Sequence, residues 1–155
     1  MDNTVRIWSL ATGQATHILE GHSSLVGELS VSPSYLVSAS ADSTLIVYDP
    51  SNGTLKHKLA AHIGAVTCFQ ADEHKVVSGS DEDLVLWDIR EGKVIRKMIA
   101  EITGVWQVAF GSRWCVAAFN RKEETYLAVW DFGIEGEENE QMESSEEDGS
   151  EDEKD

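Results

Sequence analysis

The chain has 155 residues and a formal net charge of -16, but the imbalance is local: Ile134 to Asp155 carries a net -11 and Met1 to Gly133 a net -5. The body is therefore only mildly acidic and has no basic stripe to hold nucleic acid or an anionic membrane surface, so neither is expected as a partner. No run of about 18 apolar residues is present, and "MDNTVRIWSL" lacks a basic-then-apolar leader, so the expectation is no membrane span, no signal peptide and a nuclear or cytoplasmic location.

Along the chain, short runs rich in Val, Leu, Ile, Tyr and Trp alternate with turn residues. "VRIWS" is followed by Ala15 to Leu19, then by "LVGELSV", "YLVSAS", "TLIVYD" and "LKHKL", separated by "SPS", "ADS" and "PSNG". Similar runs continue through Val66 to Ile99 and Val105 to Phe132, with "ADEH", "REGK" and "GSR" between them. Strands of this length punctuated in this way predict antiparallel meanders, and no stretch of the body keeps a 3.6-residue apolar period long enough for a helix. Cys68 and Cys115 each lie inside an apolar run without CxxC or Cys/His spacing, which predicts reduced core thiols.

Three features share one period. Trp8, Tyr48, Trp87 and Trp130 fall 40, 39 and 43 residues apart, each after a β-branched residue or leucine. Gly21-His22 recurs as Ala61-His62 and degrades to Ala100-Glu101. Asp2, Asp42 and Asp81 each stand six residues before the aromatic, with "VSAS" and "VSGS" preceding the latter two. A repeated unit of this size signals stacked supersecondary modules.

His22, Ser38 and Asp42, then His62, Ser78 and Asp81, have the residue types of a hydrolase triad. A nucleophilic serine needs an exposed, strained turn and an oxyanion hole, whereas these serines lie mid-strand without a GxSxG turn. No catalytic residue is assigned. Asp81, Glu82 and Asp83 are consecutive, so alternate side chains diverge, and no Gly-centred calcium loop surrounds them. The histidines at 17, 22, 57, 62 and 74 lack metal-ligand spacing, and no phosphate loop occurs. Neither metal, cofactor nor small-molecule substrate is expected.

These repeats resemble those of WD-repeat (WD40) β-propellers, from Asp2 to about Phe132. The resemblance implies an all-β partial propeller, residues 1–133, of about three blades' worth of four-stranded sheets: an incomplete blade at 1–20, blades at 21–60 and 61–99, and a last blade at 100–133. Propellers close with about four to eight blades, so the chain is expected to be the C-terminal part of a longer ring. The resemblance also implies that His22, Ser38, Asp42 and Tyr48, and His62, Ser78, Asp81 and Trp87, form buried structural hydrogen-bond networks. The last blade lacks the set, with Glu101 and Glu124 at the His and Asp positions.

"GHSSLVGELSVSPSYLVSASADST", the shortened "VVSGSDEDLVLWDIREGKVIR" and "VWQVAFGSRWCVAAFNRKEETYLAVWDFG" are more particular. They resemble the last blades of F-box/WD-repeat substrate receptors of cullin-based ubiquitin ligases, which bind phosphorylated degrons. That implies protein partners: a phosphorylated substrate, and a ligase adaptor only through an F-box absent from this chain. The alternative is a scaffold in a chromatin or ribosome-biogenesis assembly. Carried over from the family, the rim positions are Gly27, Thr67 and Trp106 on the inner strands and Ala41, Ser80 and Arg121 at the turns, with Lys122 beside the last. Arg121 and Lys122 can pair a phosphate or form a solvated tip with Glu123 and Glu124. Trp106 is core or contact, whereas Trp114 and Phe119 are expected to pack.

Residues 134–155 carry one methionine as their sole large apolar side chain, too little to offset chain entropy, and are expected to be a disordered acidic tail. Ser144, Ser145 and Ser150 each have an acid three residues on and are phosphorylation candidates.

Overall fold

A computed structural model describes residues 2–133. The acidic tail, with Ser144, Ser145 and Ser150, lies outside the described residues. The alternating apolar runs form thirteen strands: β1 (Val5–Trp8), β2 (Ala15–Leu19), β3 (Val26–Val31), β4 (Leu36–Ser40), β5 (Thr44–Tyr48), β6 (Leu55–Ala60), β7 (Val66–Ala71), β8 (Lys75–Ser80), β9 (Asp83–Asp88), β10 (Lys93–Ala100), β11 (Gly104–Phe110), β12 (Trp114–Arg121) and β13 (Glu124–Asp131). No helix occurs among the described residues.

The strands make four antiparallel sheets in simple meander order: β1-β2, β3-β4-β5-β6, β7-β8-β9-β10 and β11-β12-β13. The sheets stack face to face, and each gap is filled by side chains from two sheets. Val5, Leu19, Leu36, Ile46 and Tyr48 fill the first gap. Val37, Leu45, Val47, Phe69, Val76, Val85 and Trp87 fill the second. Val77, Leu84, Leu86, Val105, Val108, Ala117, Phe119 and Trp130 fill the third, together with Cys68 and Cys115. β4 and β5 are buried on both faces, which is why they read as continuous apolar runs rather than alternating ones. Burial pushes both thiols up to about 11, so neither is a nucleophile near neutrality.

The aspartates after Tyr48 and Trp87 are turn-formers. Asp49 Oδ1 accepts from the Ser51 amide at 2.9 Å, and Asp88 Oδ1 from the Arg90 amide at 2.8 Å. Each loop then closes on a glycine in the left-handed region, Gly53 at φ 72° and Gly92 at φ 65°, whose amides donate to the Asp49 and Asp88 carbonyls at 2.8 and 2.9 Å. A methyl group on Gly92 would also lie 2.5 Å from His57 Nδ1. Gly92→Ala therefore combines an unfavourable φ with a clash and is expected to lower unfolding free energy by about 1–3 kcal/mol, read from a denaturant midpoint.

Candidate functional site

Two polar clusters occupy the positions singled out by the repeat. In the first, His22 Nδ1 lies 3.0 Å from Asp42 Oδ2 and Nε2 lies 2.8 Å from Ser38 Oγ. Asp42 also accepts from Thr44 Oγ1 at 2.6 Å and from the Ser23 amide at 2.8 Å. Burial opposes its charge, but the bonds from Thr44, Ser23 and His22 outweigh it and hold the carboxyl down at about 2. Tyr48 is 1% exposed, and its hydroxyl donates to the Glu20 carbonyl at 3.2 Å, anchoring the linker before β3.

In the second cluster, His62 Nε2 lies 2.7 Å from Ser78 Oγ, which accepts from Trp87 Nε1 at 2.8 Å. The repeat spacing assigns the carboxylate here to Asp81, and the structure corrects that: His62 Nδ1 bonds Asp83, while Asp81 is exposed at the hairpin tip. The loop from Ser80 to Asp83 is one residue shorter than that from Ser40 to Thr44, so Asp83 stands where Thr44 does. Its carboxylate reaches back into the site that Asp42 fills in the preceding sheet. Lys97 Nζ donates to Asp83 Oδ2 at 2.7 Å and Ser80 Oγ to Oδ1 at 2.7 Å. Burial would raise the Asp83 carboxyl, but Lys97, Ser80 and His62 together hold it below its ordinary value. Burial, only partly opposed by Asp83, keeps the His62 imidazole below its own ordinary value. The arrangement is a neutral imidazole between a carboxylate acceptor and a hydroxyl donor. Its side chain is 0% exposed, with Asp83 at 3%, and a group sealed in this way cannot meet a substrate. Among the described residues no cluster of His, Cys, Asp and Glu could hold a metal ion.

Ser80 is the second correction. It is 0% exposed and its Oγ accepts from the Glu82 and Asp83 amides, both at 3.2 Å, because strand pairing makes it the counterpart of Ser40, and the shortened turn puts Asp81 rather than Ser80 at the hairpin position of Ala41. It braces the hairpin and cannot contact a partner. Trp114, expected to pack, is instead 50% exposed, whereas Phe119 is buried. In the last sheet Phe119 and Tyr126, stacked at 5.7 Å, fill the space that polar groups occupy elsewhere.

The remaining candidates share one rim, where the loops entering β3, β7 and β11 meet the β4–β5, β8–β9 and β12–β13 hairpins. Each innermost strand skips one residue in its register, between Val26 and Glu28, Val66 and Cys68, and Val105 and Gln107. The bulged residues are Gly27, Thr67 and Trp106. A β-bulge re-aims a side chain out of the pleat. Gly27 is exposed with open space where a Cβ would stand, Trp106 is 63% exposed, and Thr67 spends its hydroxyl on the Val105 carbonyl at 2.6 Å. Ala41 is exposed at its hairpin tip. Arg121 Nη2 donates to the Ala100 carbonyl at 3.2 Å. Lys122 and Glu123, at φ 51° and 68°, form a two-residue turn, so the charged hairpin is long in strand and tight at its tip. Among the described residues neither Arg121 nor Lys122 makes an ion pair within 4.0 Å.

Sequence reasoning missed the side chains that tie one inner strand to the next. Glu28 Oε2 accepts from the Phe69 amide at 2.9 Å, with burial raising its pKa. Gln70 bonds both the amide and the carbonyl of Phe110, at 2.7 and 3.0 Å. They do not recur at one repeat position, so periodicity carries no signal for them.

Comparison with known proteins agrees with this geometry. The model of the WD domain, G-beta repeat, matches residues 13–49 and 53–88. Cell division control protein 4 of Candida albicans is 41% identical over 138 residues, covering 85% of this chain and 20% of that protein. The F-box/WD repeat-containing protein sel-10 of Caenorhabditis elegans is 35% identical, covering 85% of this chain and 25% of that protein. The chain thus spans a fifth to a quarter of these two relatives. Regulator of rDNA transcription protein 13 of Saccharomyces cerevisiae is 31% identical over 154 residues, covering 85% of this chain and 83% of that protein. With repeated sheets, internal His-Ser-Asp braces and relatives of this kind, the chain belongs to the WD-repeat family of β-propeller proteins, whose work is protein-protein interaction.

Proposed function

We propose that this chain is a non-catalytic, substrate-facing part of an F-box/WD-repeat receptor in a ubiquitin ligase, acting in the nucleus or cytoplasm on a phosphorylated protein. The observation that carries a recognition role is the row of bulges that turns Gly27, Thr67 and Trp106 toward one rim while the polar network stays sealed beneath. Trp106 offers a flat apolar platform, and Arg121 with Lys122 offers the cationic edge a phosphate needs. The other hairpin tips are neutral or acidic, Ala41 on one and Asp81 with Glu82 on the next. This sector therefore contributes one phosphate contact at most, and binding by this chain alone is weak, with Kd on the order of millimolar.

The 31% identity to a regulator of rDNA transcription of similar length favours a second reading, a scaffold whose acidic rim meets basic partners. Amide and indole chemical shifts distinguish the two. A phosphoserine peptide added to the chain should shift Trp106, Arg121 and Lys122, and both its unphosphorylated form and the Arg121→Ala/Lys122→Ala variant should give no response. Shifts produced instead by a Lys/Arg-rich peptide, centred on Asp81 and Glu82, would favour the scaffold.

A further inference from the structure

The basic side chains of the body are not scattered. Residues 1–133 hold sixteen acids and eleven bases, yet the three outermost strands, β2, β6 and β10, carry five lysines and arginines and no carboxylate. The concentration is greatest on β10, where Lys93 to Lys97 are five consecutive exposed residues. Among the described residues Arg96 makes no ion pair within 4.0 Å. Lys93 meets Glu91 at 3.5 Å with both side chains mostly in solvent, and Arg90, on the turn just before, meets Asp88 at 3.7 Å. Exposed pairs of this kind offset little charge. Lysines on an outer strand discourage edge-to-edge pairing, but the two register shifts in β10 already blunt that edge.

The rim has the opposite character. Asp81, Glu82, Glu101, Glu123 and Glu124 are exposed there, against Arg121 and Lys122. An acidic segment is therefore repelled from the rim and drawn to the outer wall. Residues 134–155 are such a segment, with twelve acids and one base. They follow β13 at the end of the sheets away from the rim, the end at which the β9–β10 turn also lies. Phe132 packs against the side chains that fill the gap between the third and last sheets, which turns the described end of the chain toward the sheet that carries β10. Eight residues of strand are about 26 Å long and twenty-two residues reach up to about 70 Å, so the whole of β10 is within range.

We propose that the acidic segment 134–155 docks on the outer wall of its own chain, its carboxylates on Arg90, Lys93 and Arg96, and leaves the recognition rim open. Because both partners belong to one chain, their effective concentration is on the order of millimolar, enough for ion pairs too weak to hold a separate peptide. The contact is electrostatic and falls with added salt. Phosphate on Ser144, Ser145 or Ser150 would add charge of the same sign and tighten it.

The test uses the full 155-residue chain with a nitroxide attached at Gln141→Cys, inside the acidic segment. The native Cys68 and Cys115 are buried and stay unlabelled. At low salt the amide signals of Lys93 to Lys97 are expected to fall about twofold or more, while those of Ala41 and Lys122 on the rim keep their intensity. The loss should be reversed at about 0.5 M sodium chloride, where the Debye length is about 4 Å. It should also be reversed in the Lys93→Ala/Arg96→Ala variant, and the salt arm reads the same contact without altering the chain. Four results would each overturn the proposal: equal broadening of all four sheets at the end away from the rim, as an undocked segment gives; broadening centred on Arg121 and Lys122; broadening of β10 that survives salt; or broadening passed to a second, isotope-labelled copy that lacks the nitroxide.

Discussion

Asp83→Ala is expected to lower the unfolding free energy by about 3 kcal/mol, while Asp81→Ala stays within about 0.5 kcal/mol of the parent. The two aspartates sit two residues apart, and the repeat spacing favours Asp81 as the brace. The geometry reverses that order. Asp83 bonds His62, Ser80 and Lys97 at once, so its removal strips the buried imidazole of its acceptor and leaves Ser80 and Lys97 without theirs. Asp81 is exposed at the hairpin tip, where a side chain is replaced at little cost. Denaturant midpoints of the two variants measured side by side check this. Equal losses, or a larger one for Asp81→Ala, would show that the shortened hairpin is wrongly read.

Acid is expected to destabilise the chain in two stages. His62 has a folded-state pKa below its ordinary value of about 6.5, so folding favours its neutral form. Its contribution is complete above about pH 6.5 and drains away as pH falls below that, because the unfolded chain binds the proton first. Asp42 has a folded pKa of about 2. Its contribution, about 2 kcal/mol, is present above about pH 4 and lost as the pH falls toward 2. Asp83, also lowered, adds loss in the same direction. A plot of unfolding free energy against pH should therefore be level above about 7, decline gently toward 5 and drop steeply below 4. In Asp42→Asn the steep limb should shrink. Stability that rises between pH 7 and 5, or a steep limb unchanged in that variant, would contradict the sealed-network description.

The period itself determined much of this molecule. Aromatics near 40-residue spacing, turn residues between alternating runs and the recurrent His and Ser specify stacked meanders, because each of those signals is local: a strand's pleat, a hairpin's left-handed glycine and an aspartate two residues before the amide it accepts from are all set within a few positions. The histidine–serine pairs were legible for the same reason, as both partners ride on regular elements in constant register. What only the tertiary structure decided are matters of length and direction. Removing one residue from the β8–β9 hairpin exchanged Asp81 for Asp83, since a turn changes where every following side chain points without altering its identity, and Ser80 is buried by its strand register, as Ser40 is. The exposure of Trp106 and Trp114 was likewise undetermined by composition. One sits on a bulge and the other on the outward face of the last sheet, and whether an apolar residue is covered depends on which sheet stands beside it.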